Sequence, residues 1–165
     1  MNTAKIKIII TGGTIDDLNY ENEKNAPVNH KSLIPDLLKQ SRIIPEYDYE
    51  IIMQKDSRVV TDKDREVILD KCKKSKETKI IVTYGTYTMP GTAKYLGKAN
   101  LNKTIVLFGA HIPANKEKSD ALFNLGTAFV AVQLLPIGVY VLMNGKVFNW
   151  DNVKKDFPTG YFQEE

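Results

Sequence analysis

The sequence predicts an α/β domain with a doubly wound, mostly parallel sheet of about five strands, helices on both faces and a C-terminal hairpin. Strand-like runs rich in β-branched residues alternate with helical segments along the chain, which is the order expected of parallel strands joined by right-handed crossovers. Loops rich in Gly and Thr follow the first and the third of these strands. At 165 residues the chain has the length of one domain, which we expect to span residues 1–165.

The predicted strands are short and apolar, as is typical of strands buried on both faces of a sheet. They cover residues 5–10, 49–53, 79–83, 104–108 and 139–142. After the last strand, Asn144-Gly145 predicts a hairpin turn into Val147-Phe148. The remaining tail, residues 150–165, is polar and is predicted to form turns.

Apolar spacing and capping residues predict four helices between these strands. They run over residues 32–41, from a Thr61 cap to about residue 74, from Pro90 past Leu96, and from a Ser119-Asp120 cap to Leu135. In the second helix, Thr61 and Asp64 have the spacing of a capping box. The last helix is apolar on most of its surface, so we expect it to pack between the sheet and a partner.

Composition and charge exclude several classes of protein. With 42% hydrophobic and 26% charged residues, the chain can bury a sizeable core. A net charge of +3 is far from the concentrated basic face of a nucleic-acid binder, so no nucleic-acid partner is predicted. The single cysteine, Cys72, excludes an intramolecular disulfide and a cysteine-based metal cluster, and we expect a buried thiol.

We also expect no membrane partner, no cofactor and no metal ion. No apolar run reaches the about 18–20 residues of a membrane span, and the amino end enters a strand without a signal-peptide core, so a cytoplasmic location is predicted. No Gly-x-Gly-x-x-Gly motif follows the first strand, and residues 91–98 have the wrong glycine spacing for a phosphate-binding loop. His30 and His111 fall in separate loops without further metal-ligand residues at suitable spacing.

Two similar loops mark the place where chemistry is expected. Residues 11–15, Thr-Gly-Gly-Thr-Ile, follow the first strand, and residues 85–88, Gly-Thr-Tyr-Thr, follow the third. In an open α/β sheet, ligands bind beyond the carboxyl ends of the strands, so both loops face the expected crevice. Either loop alone is also typical of an ordinary tight turn. Together they bring two threonine hydroxyls to one crevice, where one can serve as nucleophile.

The two loops and the elements that follow them resemble the bacterial-type L-asparaginase family, in a short one-domain form similar to that family's N-terminal domain. The family has Thr-Gly-Gly-Thr-Ile after its first strand and His-Gly-Thr-Asp-Thr-Met after its third, and residues 11–15 and 84–89 correspond to them here. Three shorter elements match in order, namely Asp56-Ser57, Gly109-Ala110, and Ser119-Asp120 with Phe123-Asn124-Leu125. The resemblance runs the length of the chain and implies an amidohydrolase that converts L-asparagine to L-aspartate and ammonia without a cofactor.

The resemblance also implies a role for each matched residue. Thr14 would be the nucleophile that attacks the side-chain amide carbonyl and forms an acyl-enzyme. Thr86 would be the second catalytic threonine, paired with a lysine of the tail, for which Lys155 is the first choice and Lys154 the alternative. Burial would lower the pKa of such a lysine and let it act as a base. Tyr20 is a catalytic candidate by position, and the substrate-binding residues would be Gly13, Ser57, Gly85, Tyr87 and Ala110.

Two tyrosines depart from the family pattern. Tyr84 stands where the family has His, and Tyr87 stands where it has the Asp that binds the α-ammonium group of the substrate. A phenol is uncharged at pH 7 and offers that ammonium no compensating charge. Asp16 or Asp17 would have to supply it, although loop carboxylates of this kind are more often solvated. The alternative function is therefore a family member that binds an amino acid or amide without turnover, or that deamidates a different substrate.

The length of the chain is the second departure. Typical family members have a smaller second domain that contributes to the active site of a neighbouring subunit. Here we expect the site to be closed by another copy of the chain or by the tail, through Tyr161 and Phe162. A homodimer or higher homo-oligomer that acts on a small amide, L-asparagine or a relative, is the resulting hypothesis.

Overall fold

The computed structural model describes residues 4–165, and its main sheet has six strands. The strands are β1 Ile6–Gly12, β2 Tyr47–Lys55, β3 Lys79–Thr83, β4 Thr104–Phe108, β5 Gly138–Met143 and β6 Lys146–Asn149. They lie in the order β2-β1-β3-β4-β5-β6. The first five are parallel, and β6 is antiparallel to β5. The predicted doubly wound sheet of five parallel strands and the hairpin that follows it are therefore confirmed.

Four α-helices connect these strands within residues 4–165. They are α1 Ile34–Gln40, α2 Asp62–Lys74, α3 Met89–Gly97 and α4 Ala121–Leu134. The capping box of α2 is present, because the Thr61 amide donates to Asp64 Oδ2 at 2.8 Å and the Asp64 amide donates to Thr61 Oγ1. No helix in this described part of the chain has the length and apolar character needed to cross a membrane.

Each face of the sheet carries its own core, as the two-residue repeat of a strand requires. Ile8 and Ile10 of β1 pack on one face with α1 and α4. Ile9, between them, packs on the other face with α2 and α3. Cys72 of α2 is fully buried in this second core, and burial raises the pKa of its thiol to about 12. The prediction of a buried cysteine is confirmed.

The tail contains more structure than the sequence predicts. After β6, residues 150–165 form a second hairpin from β7 Lys154–Lys155 and β8 Phe162–Gln163, with Lys155 opposite Phe162. Val153 and Phe162 are buried and join the core that contains Cys72. Two-residue strands are too short to show an alternating pattern, which is why the sequence indicates turns alone.

Candidate active site

Three loops meet closely at the carboxyl ends of β1, β2 and β3, and glycines make that approach possible. Gly13 has φ +91°, and a Cβ atom there would lie 2.3 Å from the Cα atom of Gly85. A Cβ atom at Gly85 would in turn lie 2.6 Å from the Oγ atom of Ser57. Any larger residue at either glycine would push these loops apart. The glycines therefore hold Thr14, Ser57 and Thr86 at one edge of the sheet.

A cavity of about 240 Å³ opens at this edge. Its lining residues are Thr14, Asn19, Asp56, Ser57, Arg58, Thr86, Tyr87, His111 and Lys155. Of the residues that the sequence singles out, Thr14, Ser57, Thr86, Tyr87 and Lys155 are thus brought together around one space. Gly13 and Gly85 contribute backbone behind them.

Thr86 and Lys155 form the central contact of the cavity. The Nζ atom of Lys155 donates a hydrogen bond of 2.8 Å to Oγ1 of Thr86, which is buried. Burial lowers the pKa of Lys155, and the nearby Arg58 guanidinium lowers it further. Lys154, the alternative from the sequence, is exposed. The geometry therefore pairs Thr86 with Lys155.

The second hairpin is what carries Lys155 to the cavity. Phe162 is anchored by burial and by its amide, which donates to Asn144 Oδ1 at 3.3 Å. The turn between β7 and β8 is closed by two backbone hydrogen bonds of 2.8 Å, from Asp156 to the Tyr161 carbonyl and from Gly160 to the Asp156 carbonyl. The tail closes the site through Lys155, while Phe162 lies in the core and Tyr161 is exposed.

Thr14 is placed as an available hydroxyl. It is half-buried and begins a single 3-10 turn, Thr14–Asp16, directly after the Gly12-Gly13 bend. Its backbone carbonyl accepts from Asp17, whereas its hydroxyl has no hydrogen-bond partner within residues 4–165. A hydroxyl that faces a cavity without an internal partner can reach a bound substrate.

Asp56 and Arg58 form an ion pair in the cavity wall that sequence reasoning missed. Asp56 accepts from the Arg58 amide, Nε and Nη2, at 2.9, 3.0 and 2.6 Å, and from the Tyr20 amide at 3.0 Å. Burial opposes ionisation of Asp56, but these donors outweigh it and hold the pKa of the carboxyl below its usual range. Both carboxylate oxygens are therefore engaged. The Asp-x-Arg spacing, with a short side chain that bonds the amide two residues on, was the signal in the sequence.

His111 is the second lining residue that the sequence did not single out. Its amide donates to both carboxylate oxygens of Asp120 at 3.0 Å, which fixes the loop after β4. Ala110, the predicted substrate-binding residue of this loop, is buried in the core and does not line the cavity. The His111 side chain takes that place, because the chain turns outward one residue later.

Tyr20 and Tyr84 lie outside the cavity lining. The Tyr20 side chain is buried, with its hydroxyl 3.4 Å from the Gln54 carbonyl oxygen. Tyr84 is also buried, and its hydroxyl contacts Thr88 and Thr92 at 3.3 and 2.8 Å. Burial raises the pKa of the Tyr84 phenol. The tyrosine that replaces the family's His is thus part of the packing behind the loop.

Neither Asp16 nor Asp17 supplies a charge to the cavity. Asp16 is fully buried and accepts from Leu33 N at 2.6 Å and from Ser32 Oγ at 2.9 Å. The expectation of a solvated loop carboxylate is therefore wrong for Asp16. Its bonds fix the two residues before α1, which explains why that helix begins at Ile34 and not at Ser32. Asp17 points toward Asn115 and Lys116 instead.

Comparison with known proteins assigns the family. The family model described as Asparaginase, N-terminal matches residues 5–161. The chain belongs to the asparaginase family. Among solved structures, the asparaginase-family chain superposes on L-asparaginase I from Vibrio cholerae with a TM-score of 0.80 at 24% identity, covering 98% of this chain and 51% of that one. For the thermostable L-asparaginase from Thermococcus kodakarensis the TM-score is 0.81 at 26% identity, covering 97% and 51%.

A further match is to a protein of another name. The asparaginase-family chain is 29% identical over 145 residues to a glutamyl-tRNA(Gln) amidotransferase component from Saccharolobus solfataricus, and the match covers 84% of this chain and 33% of that protein. The chain thus spans about half the length of the solved structures and a third of this relative.

Proposed function

We propose that this chain hydrolyses the side-chain amide of L-asparagine or a close derivative, releasing ammonia, with Thr14 as the nucleophile. The observation that carries the proposal is the 2.8 Å hydrogen bond between Lys155 Nζ and Thr86 Oγ1 in the cavity that Thr14 lines. A hydroxyl next to a buried lysine of lowered pKa is an arrangement that activates a nucleophile. The similarity to the thermostable L-asparaginase from Thermococcus kodakarensis supports the same reaction.

The proposed reaction has two halves. First, the Thr14 hydroxyl attacks the amide carbon, its proton passes through Thr86 to the neutral Lys155 amine, and the amide nitrogen leaves as ammonia. An ester between Thr14 and the substrate acyl group remains. Water then attacks that ester with the same proton acceptor, which releases the carboxylic acid and restores Thr14. Burial of Lys155 favours its neutral amine, which is the form that accepts a proton.

The remaining predicted residues are assigned to substrate binding. Ser57 would bond the α-carboxylate, and the backbone at Gly13 and Gly85 would lie against the substrate. The loop after β4, through Ala110 and His111, would face the leaving amide. Participation of Tyr20 requires its hydroxyl to leave the Gln54 carbonyl oxygen.

A second candidate is binding without turnover, or deamidation of a different amide. Tyr87 favours it, because Asp56 is the one carboxylate among the residues that line the described cavity, and its oxygens are engaged by Arg58 and Tyr20. A substrate ammonium group would find no free counter-charge there.

We further propose one cytoplasmic domain that assembles as a homodimer or higher homo-oligomer. Large apolar side chains on and next to α4 are exposed, which supports an interface. These are Leu122, Phe123, Val130, Leu134 and Ile137. Light scattering that shows an 18.6 kDa species alone at micromolar concentration would contradict the assembly.

An acyl-enzyme can be tested directly by competition between water and hydroxylamine. With hydroxylamine present during turnover of L-asparagine, the ester on Thr14 should partition to aspartyl hydroxamate while ammonia release continues. The Thr14→Ala variant should yield neither product. Ammonia release from the unaltered chain without any hydroxamate would contradict a covalent intermediate and favour direct attack by water.

A further inference from the structure

A second groove of about 360 Å³ opens beside the active-site cavity. Tyr87, Pro90, Val153 and Phe157 give it largely apolar walls. Tyr87 and Lys155 line both this groove and the cavity, so the two spaces share a wall. A molecule held at Thr86 and Lys155 can therefore extend into the groove without crossing the protein.

Two exposed aromatic rings form the shared wall. The Tyr87 and Phe157 ring centroids are 4.7 Å apart, and the side chains are 50% and 56% exposed. Phe157 follows β7 directly, and its ring centroid lies 5.8 Å from Lys155 Nζ. The hairpin that positions the lysine thus also positions an aromatic surface next to it. Such a pair offers a flat apolar group a contact on leaving water.

The charges of the cavity point to the same kind of ligand. Arg58 and Lys155 both line it, and the Asp56 carboxylate is occupied by Arg58 and by the Tyr20 amide. A protonated α-amine would face two cations there and an aromatic wall. An acylated α-nitrogen is uncharged, and its acyl group can follow Tyr87 into the groove.

We propose that the substrate is an asparagine whose α-nitrogen carries an apolar, preferably aromatic, acyl group that lies against Tyr87 and Phe157. This inference rests on the proposed amide hydrolysis and names its substrate class. The side-chain amide remains the bond that is cleaved, and the acyl group contributes binding alone. The same chemistry occurs in a free N-acyl-asparagine and in a peptide that ends in asparagine after an aromatic residue.

The test is calorimetric binding to the full-length Thr14→Ala variant, which avoids turnover. We expect N-phenylacetyl-L-asparagine to bind at least about tenfold more tightly than L-asparagine, with N-acetyl-L-asparagine between them. Phe157→Ala in that background should weaken the phenylacetyl ligand about three- to tenfold and the acetyl ligand less than about twofold. Phe123→Ala, at an exposed phenylalanine of α4, is the matched control and should change neither.

Two results would overturn the proposal. One is L-asparagine binding as tightly as the acylated ligands, and the other is Phe157→Ala weakening every ligand equally. L-phenylalanyl-L-asparagine distinguishes the sources, because tighter binding of the dipeptide than of the phenylacetyl compound indicates a peptide end and weaker binding indicates a free acyl amino acid. If the acylated ligands bind in this order but the unaltered chain releases no ammonia from them, the proposed hydrolysis fails while the substrate class stands.

Discussion

The Nζ atom of Lys155 lies 2.8 Å from Oγ1 of Thr86, although the two residues are 69 positions apart in the chain. Thr86 belongs to the loop after β3, in the middle of the parallel sheet, whereas Lys155 belongs to the short hairpin after the sheet is complete. The proposed catalytic pair is therefore assembled only when the β7-β8 hairpin docks through Val153 and Phe162. Folding of the tail and chemistry are linked through this one contact.

Replacing Lys155 tests that contact. Lys155→Met keeps the length of the side chain but removes the proton acceptor, and we expect kcat/KM for ammonia release to fall about 10²- to 10⁴-fold, as for loss of a general base. Lys154→Met is the matched control, since Lys154 is the exposed neighbour, and it should stay within about twofold of the unaltered chain. Equal losses in both variants would contradict the assignment of Lys155.

The pH dependence of the reaction should report the charge state of Lys155. Its lowered pKa means that the neutral amine forms at a lower pH than for an ordinary lysine, so kcat/KM should rise with pH and level off below the usual lysine range. Arg58→Gln removes one cause of that shift and leaves the Asp56 charge uncompensated, and both changes raise the pKa of Lys155. The profile should move to higher pH, while Arg58→Lys should move it less. A profile that stays in place or moves to lower pH would show that another group is the base.

Tyr87→Asp tests whether this residue limits the use of L-asparagine. The new carboxylate would face the α-ammonium group of the substrate, and a charged hydrogen bond gains about 1.5–3 kcal/mol, or roughly 10- to 150-fold in kcat/KM for L-asparagine. Substrates with an acylated α-nitrogen should lose activity in the same variant. Absence of any gain with L-asparagine would mean that Tyr87 is not the limiting difference.

The glycine contacts predict a matched pair of stability effects. Gly85→Ala would place a Cβ atom 2.6 Å from Ser57 Oγ, so we expect a loss of about 1–3 kcal/mol in the free energy of unfolding, together with reduced activity. Gly91→Ala lies in α3, where an added Cβ atom meets nothing within 4 Å, and should be neutral or stabilising by up to about 1 kcal/mol. Urea denaturation measures both. Equal effects would show that the loops tolerate separation.

Asp16→Ala tests the buried carboxylate before α1. The variant would leave Leu33 N and Ser32 Oγ without their acceptor, at a cost of about 1–3 kcal/mol in the free energy of unfolding. Asp17→Ala, at the half-exposed neighbour, should cost less than about 1 kcal/mol. Activity of the folded Asp16→Ala chain should persist, because the carboxylate does not reach the cavity.

The sheet was predictable from the sequence because its strands are uniformly apolar and end at marked turns. The bounds of β3 and β4 agree with the prediction to the residue, since each run stops at a polar or glycine-rich loop. The site was less accessible. Thr14 and Thr86 stand out next to glycines, but the choice between Lys154 and Lys155 needed the strand register that turns one side chain inward.

Arg58, His111 and the buried state of Asp16 could not be deduced from local pattern. Each depends on what a distant segment places next to it, namely the loop carrying Tyr20, the Asp120 carboxylate, and the residues before α1. A charged residue in a loop looks solvated unless the fold supplies its partner. The Asp-x-Arg pattern at Asp56 and Arg58 predicts a local turn but not that the guanidinium lines the cavity.

The most direct test of the proposed chemistry is steady-state ammonia release from L-asparagine and N-phenylacetyl-L-asparagine, with Thr14→Ala compared against the unaltered chain. Thr127→Ala serves as the control, because that hydroxyl bonds only the backbone of its own helix. We expect release from at least one substrate, unchanged within about twofold in Thr127→Ala and reduced at least about a thousandfold in Thr14→Ala. Release that persists in Thr14→Ala would contradict the assignment of Thr14 as the nucleophile.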